Sequence, residues 1–330
     1  MRAEIEVRNP RTGQVDYRVT PPDSHQLRAI ASELRAAQPE WLARGVEGRC
    51  EVIRNWSQSL VGAPDALIDA LSHDTGRYLL AFAELMALPG MVDRWCKIAP
   101  VLLDTAGERE SVSPGVGIRD QLVPYELVGI ISPWNFPLLL SMIDAVPALV
   151  AGCAVLVKPS EVTLRFIEPM MASIRQFPEL ASVFRFVAGD GQTGAELIEN
   201  VDAVAFTGSV KTGRIVAEAC AKRFIPSFLE LGGKDPCIVL PSADMSDAAR
   251  IVLRSSVQAT GQACQSLERI YVPREHFDEF VGELVRQAEA LELNYPDIHK
   301  GQIGPLIFDR QAEVIEEQLQ DAVAKGARIL

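Results

Sequence analysis

Three residues of this 330-residue sequence have side chains that together support chemistry at a carbonyl group: Asn135, Glu230 and Cys264. A cysteine thiolate adds covalently to a carbonyl carbon, and a carboxylate can then activate the water that releases the adduct. A side-chain amide donates a hydrogen bond to the oxyanion that forms in such an addition. Asn135 lies in Pro-Trp-Asn-Phe-Pro, Glu230 in Leu-Glu-Leu-Gly-Gly, and Cys264 in Gly-Gln-Ala-Cys-Gln-Ser. The pattern predicts a covalent reaction that depends on the cysteine.

Each of these residues also has a plainer interpretation. Asn135 is a common turn residue, Glu230 can be a strand-end carboxylate paired with a cation, and Cys264 can be a packing cysteine, since free thiols behave as small hydrophobes. Gly232 favours the catalytic interpretation of Glu230, because glycine lets the backbone move or approach a ligand closely. A Cys-His hydrolase is disfavoured, because the nearest histidine, His276, begins a separate amphipathic helix.

From residue 127 onward, short β-rich runs alternate with helical segments, which predicts an α/β fold with a parallel sheet covered on both faces. The predicted strands are Leu127–Ser132, Ala154–Lys158, Val183–Ala188, Ala203–Thr207 and Pro226–Glu230, and the helices between them are 138–151, 162–176, 191–199 and 210–222. Parallel sheets bind ligands at the carboxyl ends of their strands. The polar motifs of the sequence lie there, after the first, second and fourth runs.

The flanking regions have different patterns. Residues 24–104 are mainly helical by their apolar spacing, and the polar stretch 105–125 predicts a hairpin. After Gly233 the pattern predicts further strands and helices: Cys237–Leu240, 243–257, Arg269–Val272, 275–291 and 310–325. The chain is long enough for two domains, each with its own core.

Two glycine-containing turns are candidates for contact with phosphate groups. Gly189–Gly194 fits G-x-G-x-x-G, but no acidic residue ends the next strand, so either a structural turn or a phosphate contact through Gly191 remains open. Gly208 and Ser209 precede a predicted helix, whose free N–H groups suit a pyrophosphate. The alternative for Ser209 is an ordinary N-cap.

The segments around Asn135, Glu230 and Cys264, in this order, resemble the aldehyde dehydrogenase superfamily, and the resemblance runs from about residue 5 to the end. It implies a Rossmann-like parallel-sheet domain that binds NAD, formed by 1–104 and 126–233, and a second, incomplete α/β catalytic domain in 234–330. It also implies that 105–125 is an oligomerisation hairpin in a homodimer or homotetramer. By the same resemblance the C-terminal third is missing, and we expect a partial sequence.

The resemblance implies a role for each site residue. Cys264 attacks an aldehyde, Asn135 and the Cys264 N–H stabilise the oxyanion, a hydride passes to the nicotinamide, and Glu230 activates water to hydrolyse the thioester. The implied cofactor-binding residues are Trp134, Lys158, Ser160, Glu161, Gly191, Gly208, Ser209 and Gly232. Without the resemblance, Lys158 and Glu161 would be a solvated loop. Glu161 would repel a 2′-phosphate, so NAD is favoured, with NADP possible.

Two rival functions stay open. A relative that transfers the acyl group to coenzyme A typically lacks the base, so Glu230 speaks against it. A non-catalytic fragment or interaction protein is the other rival, because the family's Glu-x-Phe-Gly-Pro segment is absent from this sequence.

Composition excludes several other classes. A net charge of −12 and a pI near 4.9 disfavour nucleic acid partners. The apolar stretch Pro137–Val157 contains Asp144 and Pro147, so we expect a buried helix followed by a strand and no membrane span. The six cysteines show no C-x-x-C spacing, so a zinc site is not expected. The N-terminus has no signal-peptide pattern, which predicts a cytoplasmic protein with reduced thiols.

Overall fold

A computed structural model describes residues 2–104 and 107–330 of the chain. Its strands, in chain order, are β1 Ile5–Arg8, β2 Val15–Val19, β3 Glu108–Glu110, β4 Gly117–Arg119, β5 Leu127–Ile131, β6 Ala154–Lys158, β7 Phe184–Phe186, β8 Ala203–Gly208, β9 Ser227–Leu231, β10 Asp235–Ile238 and β11 Leu267–Tyr271. The α-helices are α1 Ser24–Ala43, α2 Gly45–Gly62, α3 Asp65–Thr75, α4 Tyr78–Leu102, α5 Pro137–Ala151, α6 Ile167–Ile174, α7 Pro178–Ala181, α8 Gly191–Ile198, α9 Val210–Lys222, α10 Met245–Val257, α11 Phe277–Glu289 and α12 Arg310–Ala324.

The centre of the fold is a five-stranded parallel sheet in the order β7-β6-β5-β8-β9. The chain adds β6 and β7 on one side of β5 and then returns to add β8 and β9 on the other side. This reversal makes the carboxyl ends of β5 and β8 the topological switch point, where a crevice for ligands opens in such sheets. The strand β6 is buried at every residue, as expected for a sheet covered on both faces.

The largest hydrophobic core lies between this sheet and the helices. Trp41 on α1, Trp56 on α2 and Leu85 on α4 are almost fully buried there, together with residues of α5. A smaller core, centred on Met245 and Phe280, lies between α10, α11 and the parallel pair β10-β11. Among the described residues, the two larger cores therefore lie on opposite sides of Gly233 in the sequence.

The predicted α/β fold is confirmed, and every strand boundary of the central sheet lies within two residues of the prediction. The helix predicted for 162–176 begins only at Ile167. The reason is a local turn in which the Ser160 hydroxyl accepts a hydrogen bond from the N–H of Val162 at 3.3 Å. The antiparallel pair β1-β2 was not predicted from the sequence.

The remaining predictions about elements agree with the structure. The pair β3-β4 forms the hairpin expected within 105–125, of which Thr105 and Ala106 lie outside the described residues. The apolar stretch from Pro137 forms α5 followed by β6. Among the described residues, no helix has both the length and the hydropathy needed to span a bilayer.

Candidate active site

The carboxyl edge of the central sheet brings several of the predicted site residues together. Lys158 ends β6 and pairs with Ile131 at the end of β5, and the Asn135 turn follows directly. On the other side of β5, Glu230 in β9 pairs with Thr207 near the end of β8. Parallel strands thus align four motifs that are distant in the sequence along one edge.

Lys158 occupies one end of this edge. Its side chain is only 4% exposed, and its ammonium group lies 3.4 Å from a carboxylate oxygen of Glu161 and 3.3 Å from the main-chain oxygen of Asp190. Burial lowers the pKa of Lys158, and the nearby Glu161 carboxylate opposes that effect. The Asp190 contact brings the Gly189–Gly194 turn into the same cleft, and Ser160 lies partly buried between Lys158 and Glu161.

The turns at α8 and α9 have the geometry of capped helix starts. Ser209 is the N-cap of α9, and its hydroxyl accepts a hydrogen bond from the N–H of Thr212 at 3.2 Å. Asp190 is the N-cap of α8, which leaves Gly191 as an exposed first residue. The ordinary capping interpretation is therefore satisfied. It leaves other first-turn N–H groups of both helices directed out of the helix, where they can meet an anion.

Two glycines and an aromatic residue complete the set of predicted cofactor-binding residues. A Cβ atom at Gly208 would lie 2.7 Å from the Phe206 ring, so this turn needs glycine. Gly232 is exposed and has open space on its side-chain face. The ring of Trp134 is partly buried, with its centroid 6.2 Å from that of Phe308. This contact joins the Asn135 turn to the segment after residue 300.

Cys264 lies in an exposed loop after a left-handed turn. Ala259, Thr260 and Gly261 have φ values of 56°, 60° and 71°. Left-handed backbone costs a non-glycine residue about 1–3 kcal/mol and persists only where the surroundings enforce it. The strain therefore points to a loop that is held in place for a reason other than its own stability.

The contacts that enforce the turn come from the segment 304–307. The Thr260 hydroxyl bonds to the N–H of Gly304 at 3.0 Å and to its carbonyl at 3.2 Å. The Gln262 side chain donates to the Pro305 carbonyl at 3.2 Å and accepts from the N–H of Ile307 at 2.9 Å. The Thr260 and Gln262 side chains thus hold the loop against the segment 304–307. Gln262 lies two residues before Cys264.

Asn135 and the cysteine loop are in direct contact. The Asn135 amide nitrogen donates to the main-chain oxygen of Gln262 at 2.8 Å, and its amide oxygen is buried with no hydrogen-bond partner among the described residues. An amide nitrogen has two hydrogens, so one remains for a further acceptor. The guanidinium of Arg77 binds the main-chain oxygen of Asn135 and, at 3.3 Å, that of Ala259.

Glu230 and Cys264 are both exposed, and neither forms a side-chain hydrogen bond or ion pair within the described part of the chain. Asp144 on α5 lies close enough to Glu230 for their carboxylates to interact electrostatically. Burial, and secondarily the Glu230 carboxylate, raise the pKa of Asp144 to about 6. The arrangement offers a free thiol, a free carboxylate and an amide donor, which is what acyl transfer through a cysteine needs.

Four residues of this arrangement were missed from the sequence: Arg77, Glu84, Thr260 and Gln262. Glu84 is buried on α4 and accepts hydrogen bonds from the N–H groups of Leu138 and Leu139, at the start of α5. A lone acid on the apolar face of a long helix was the available signal for Glu84. Only the tertiary contacts identify the other three.

Comparison with known proteins agrees with this geometry. The aldehyde dehydrogenase family profile matches residues 1–330. The chain belongs to the aldehyde dehydrogenase family. PutA of Anabaena variabilis, a protein assigned as an aldehyde dehydrogenase, has a solved structure with 49% identity and a TM-score of 0.95, over 99% of this chain and 70% of PutA. The predictions of family and fold are confirmed.

Two further relatives bear on the cofactor. A Mycolicibacterium smegmatis protein assigned as an NADP-dependent succinate-semialdehyde dehydrogenase is 33% identical over 310 residues. An aldehyde dehydrogenase of Mycobacterium tuberculosis, solved with NAD+, is 29% identical with a TM-score of 0.89, over 99% of this chain and 68% of that protein. The alignment with the M. smegmatis protein covers 93% of this chain and spans 60% of that protein's length.

Proposed function

We propose that the chain carries the catalytic centre of an NAD(P)-dependent aldehyde dehydrogenase that oxidises an aldehyde to a carboxylic acid. The observation that carries the proposal is the hydrogen bond from the Asn135 amide to the Gln262 carbonyl, which brings the amide beside the cysteine loop. Both relatives described above and PutA are named for this class of reaction.

In this proposal the Cys264 thiolate adds to the aldehyde carbon, forming a C–S bond and an oxyanion. The second N–H of Asn135 and the main-chain N–H of Cys264 stabilise that oxyanion. A bound dinucleotide would accept the hydride that this carbon loses as the oxyanion collapses to a thioester. Glu230 then takes a proton from water, which attacks the thioester carbon, and the C–S bond breaks to release the acid and the thiolate.

The residues along the sheet edge fit a dinucleotide. The buried Lys158 ammonium and the Glu161 carboxylate are placed to hold ribose hydroxyls, with Ser160 between them. The N-termini of α8 and α9, at Gly191 and at Gly208 and Ser209, are placed for phosphate groups, and Trp134 and Gly232 border the space near the catalytic residues. The negative charge of Glu161 supports NAD over NADP.

The domain assignments of the sequence stay part of the proposal: 1–104 and 126–233 bind the cofactor, and 234–330 belongs to the catalytic domain. The exposed pair β3-β4 in 105–125 supports a role in a homodimer or homotetramer. A cytoplasmic location fits the six cysteines, which are all free.

The test is NADH production from a panel of aldehydes by the 330-residue chain and by its Cys264→Ala variant. We expect turnover from the chain and less than 0.1% of it (roughly the loss typical for a nucleophile) from the variant. Cys237→Ala is the matched control, because that thiol is partly buried in β10 and has no assigned role. Turnover retained by Cys264→Ala would refute the proposal, and acyl transfer to added coenzyme A would indicate the rival enzyme class.

A further inference from the structure

Arg77 connects the two segments that must act together. It directly precedes α4, as its N-cap residue, and it is 5% exposed. Its guanidinium binds the main-chain oxygen of Asn135 with one nitrogen and that of Ala259, at 3.3 Å, with another. The first oxygen belongs to the turn that carries the amide donor, and the second to the left-handed turn before Cys264.

We propose that Arg77 is a positioning residue that sets the distance between the Asn135 amide and the Cys264 loop. The inference rests on the proposed function, since it assumes that Asn135 stabilises an oxyanion on a Cys264 adduct. A planar guanidinium holds several donors in a fixed geometry, whereas a lysine ammonium is a point charge on a flexible stem. Arginine is therefore suited to fixing two acceptors relative to each other.

The surroundings of Arg77 keep its own position fixed. The preceding residue, Gly76, has a φ of 67°, and a Cβ atom there would lie 2.3 Å from the Pro305 side chain. The Gly76 carbonyl accepts a hydrogen bond from the Asn294 side chain at 2.8 Å. The Arg77 guanidinium also lies 5.3 Å from the centroid of the Phe136 ring, directly after Asn135. These contacts come from two separate segments, 294–305 and the Asn135 turn, and together they hold Arg77 in place.

Glu84, a residue of α4, contacts the other end of the Asn135 turn. Glu84 accepts hydrogen bonds at 3.1 and 3.0 Å from the N–H groups of Leu138 and Leu139. Arg77 and Glu84 therefore bracket the Asn135 turn, and Arg77 extends the same support to the cysteine loop. Burial lowers the pKa of Arg77 to about 10, and the negative charge of Glu84 opposes that effect, so the guanidinium is charged at neutral pH.

The test separates oxyanion stabilisation from access to the thiol, and needs no cofactor. Acylation of Cys264 by p-nitrophenyl acetate forms a C–S bond, breaks the ester C–O bond and passes through an oxyanion, with p-nitrophenolate as leaving group and the thiol proton released to solvent. Alkylation by iodoacetamide displaces iodide and forms no oxyanion. In Arg77→Lys we expect the rate of the acylation burst to fall at least tenfold, roughly the cost of misplacing an oxyanion donor. The alkylation rate should stay within twofold of that of the unmodified chain.

Two further variants make the result specific. Arg49→Lys is the matched control, because Arg49 is also buried and donates to two main-chain oxygens, those of Val150 and Leu42, at 3.0 and 2.9 Å. We expect it to leave both rates within twofold. When Asn135 is already alanine, we expect Arg77→Lys to lower the acylation rate less than threefold, because the effects of substituting coupled residues do not add.

The outcomes are distinguishable. Equal acylation rates for Arg77→Lys and Arg49→Lys, or the same loss with and without Asn135, would overturn the inference and leave the proposed function intact. Parallel losses of acylation and alkylation would reduce Arg77 to a general support of the loop, which also overturns it. Absence of a burst in the unmodified chain, or a burst that survives Cys264→Ala, would instead refute the proposed function.

Discussion

The Asn135 amide nitrogen lies 2.8 Å from the main-chain oxygen of Gln262. In the sequence, four of the five strands of the central sheet lie between these two residues. Asn135 follows the central strand β5, and Gln262 lies two residues before Cys264. The bond uses one hydrogen of the amide and orients the other. The contact thus couples the end of the parallel sheet to the loop of the candidate nucleophile.

Replacing Asn135 by alanine tests this coupling directly. We expect kcat to fall about 100- to 1,000-fold, as when an oxyanion donor is removed elsewhere, with little change in the KM for the dinucleotide. Asn200→Ala is a suitable control, because the Asn200 amide donates to the main-chain oxygen of Glu196 at 2.7 Å, just after the end of α8, and makes no hydrogen bond to the cysteine loop in the described part of the chain. Steady-state kinetics that are equal for both variants would contradict the assigned role.

Glu230→Gln addresses the water-activating step. The glutamine cannot accept the proton from water, so we expect steady-state turnover to fall about 100-fold or more, while the first hydride transfer continues. A stopped-flow record should show a burst of NADH close to one equivalent of active sites, followed by a slow phase. Glu218→Gln, on the exposed face of α9, should retain both phases. Loss of the burst would contradict this role, because it would mean that Glu230 acts in a step before thioester hydrolysis.

Glu161→Gln probes the choice between NAD and NADP. Its carboxylate lies 3.4 Å from the Lys158 ammonium, and we expect its charge to oppose a 2′-phosphate. The amide keeps an acceptor for Lys158 and removes the charge. The ratio of kcat/KM for NADP+ to that for NAD+ should rise about tenfold, equivalent to about 1.4 kcal/mol. An unchanged ratio would assign cofactor choice to other residues.

Glu84 makes stability depend on pH in a defined direction. Burial raises the pKa of Glu84 from an ordinary value of 4.5 to about 7, despite its backbone hydrogen bonds and the charge of Arg77. The folded state therefore binds this proton more tightly than the unfolded state. Its contribution to stability is complete below pH 4.5 and is lost as the pH rises through 7, by about 3 kcal/mol at most.

Thermal unfolding at pH 5.5 and pH 8.0 measures this effect. The wild-type chain should lose more Tm between these pH values than Glu84→Gln, which cannot titrate. Some dependence should remain in the variant, because burial also raises the pKa of Asp144, to about 6. An identical pH dependence in the two proteins would contradict this prediction, because it would mean that Glu84 contributes nothing to the change in stability between these pH values.

Local sequence was sufficient to predict the family, the parallel sheet and the positions of Cys264, Glu230 and Asn135. These features depend on short-range patterns: apolar runs that alternate with helical segments, and polar motifs at the ends of the strands. Parallel strands end at a common edge, so the parallel sheet alone predicted that the Lys158 and Asn135 motifs lie along one edge, and the structure adds that their strands are neighbours. The roles of these residues remain predictions.

Tertiary structure decided what holds the site together. Arg77 directly precedes α4 and Glu84 lies within it, and the partners of both are main-chain groups. Such partners place no requirement on the side chains of the residues that provide them. The left-handed turn at Thr260 could not be predicted from the sequence either, because threonine adopts this backbone conformation only where contacts such as those to Gly304 enforce it. Hydrogen bonds to the backbone depend on how elements pack in space, and sequence patterns along one element carry no record of that packing.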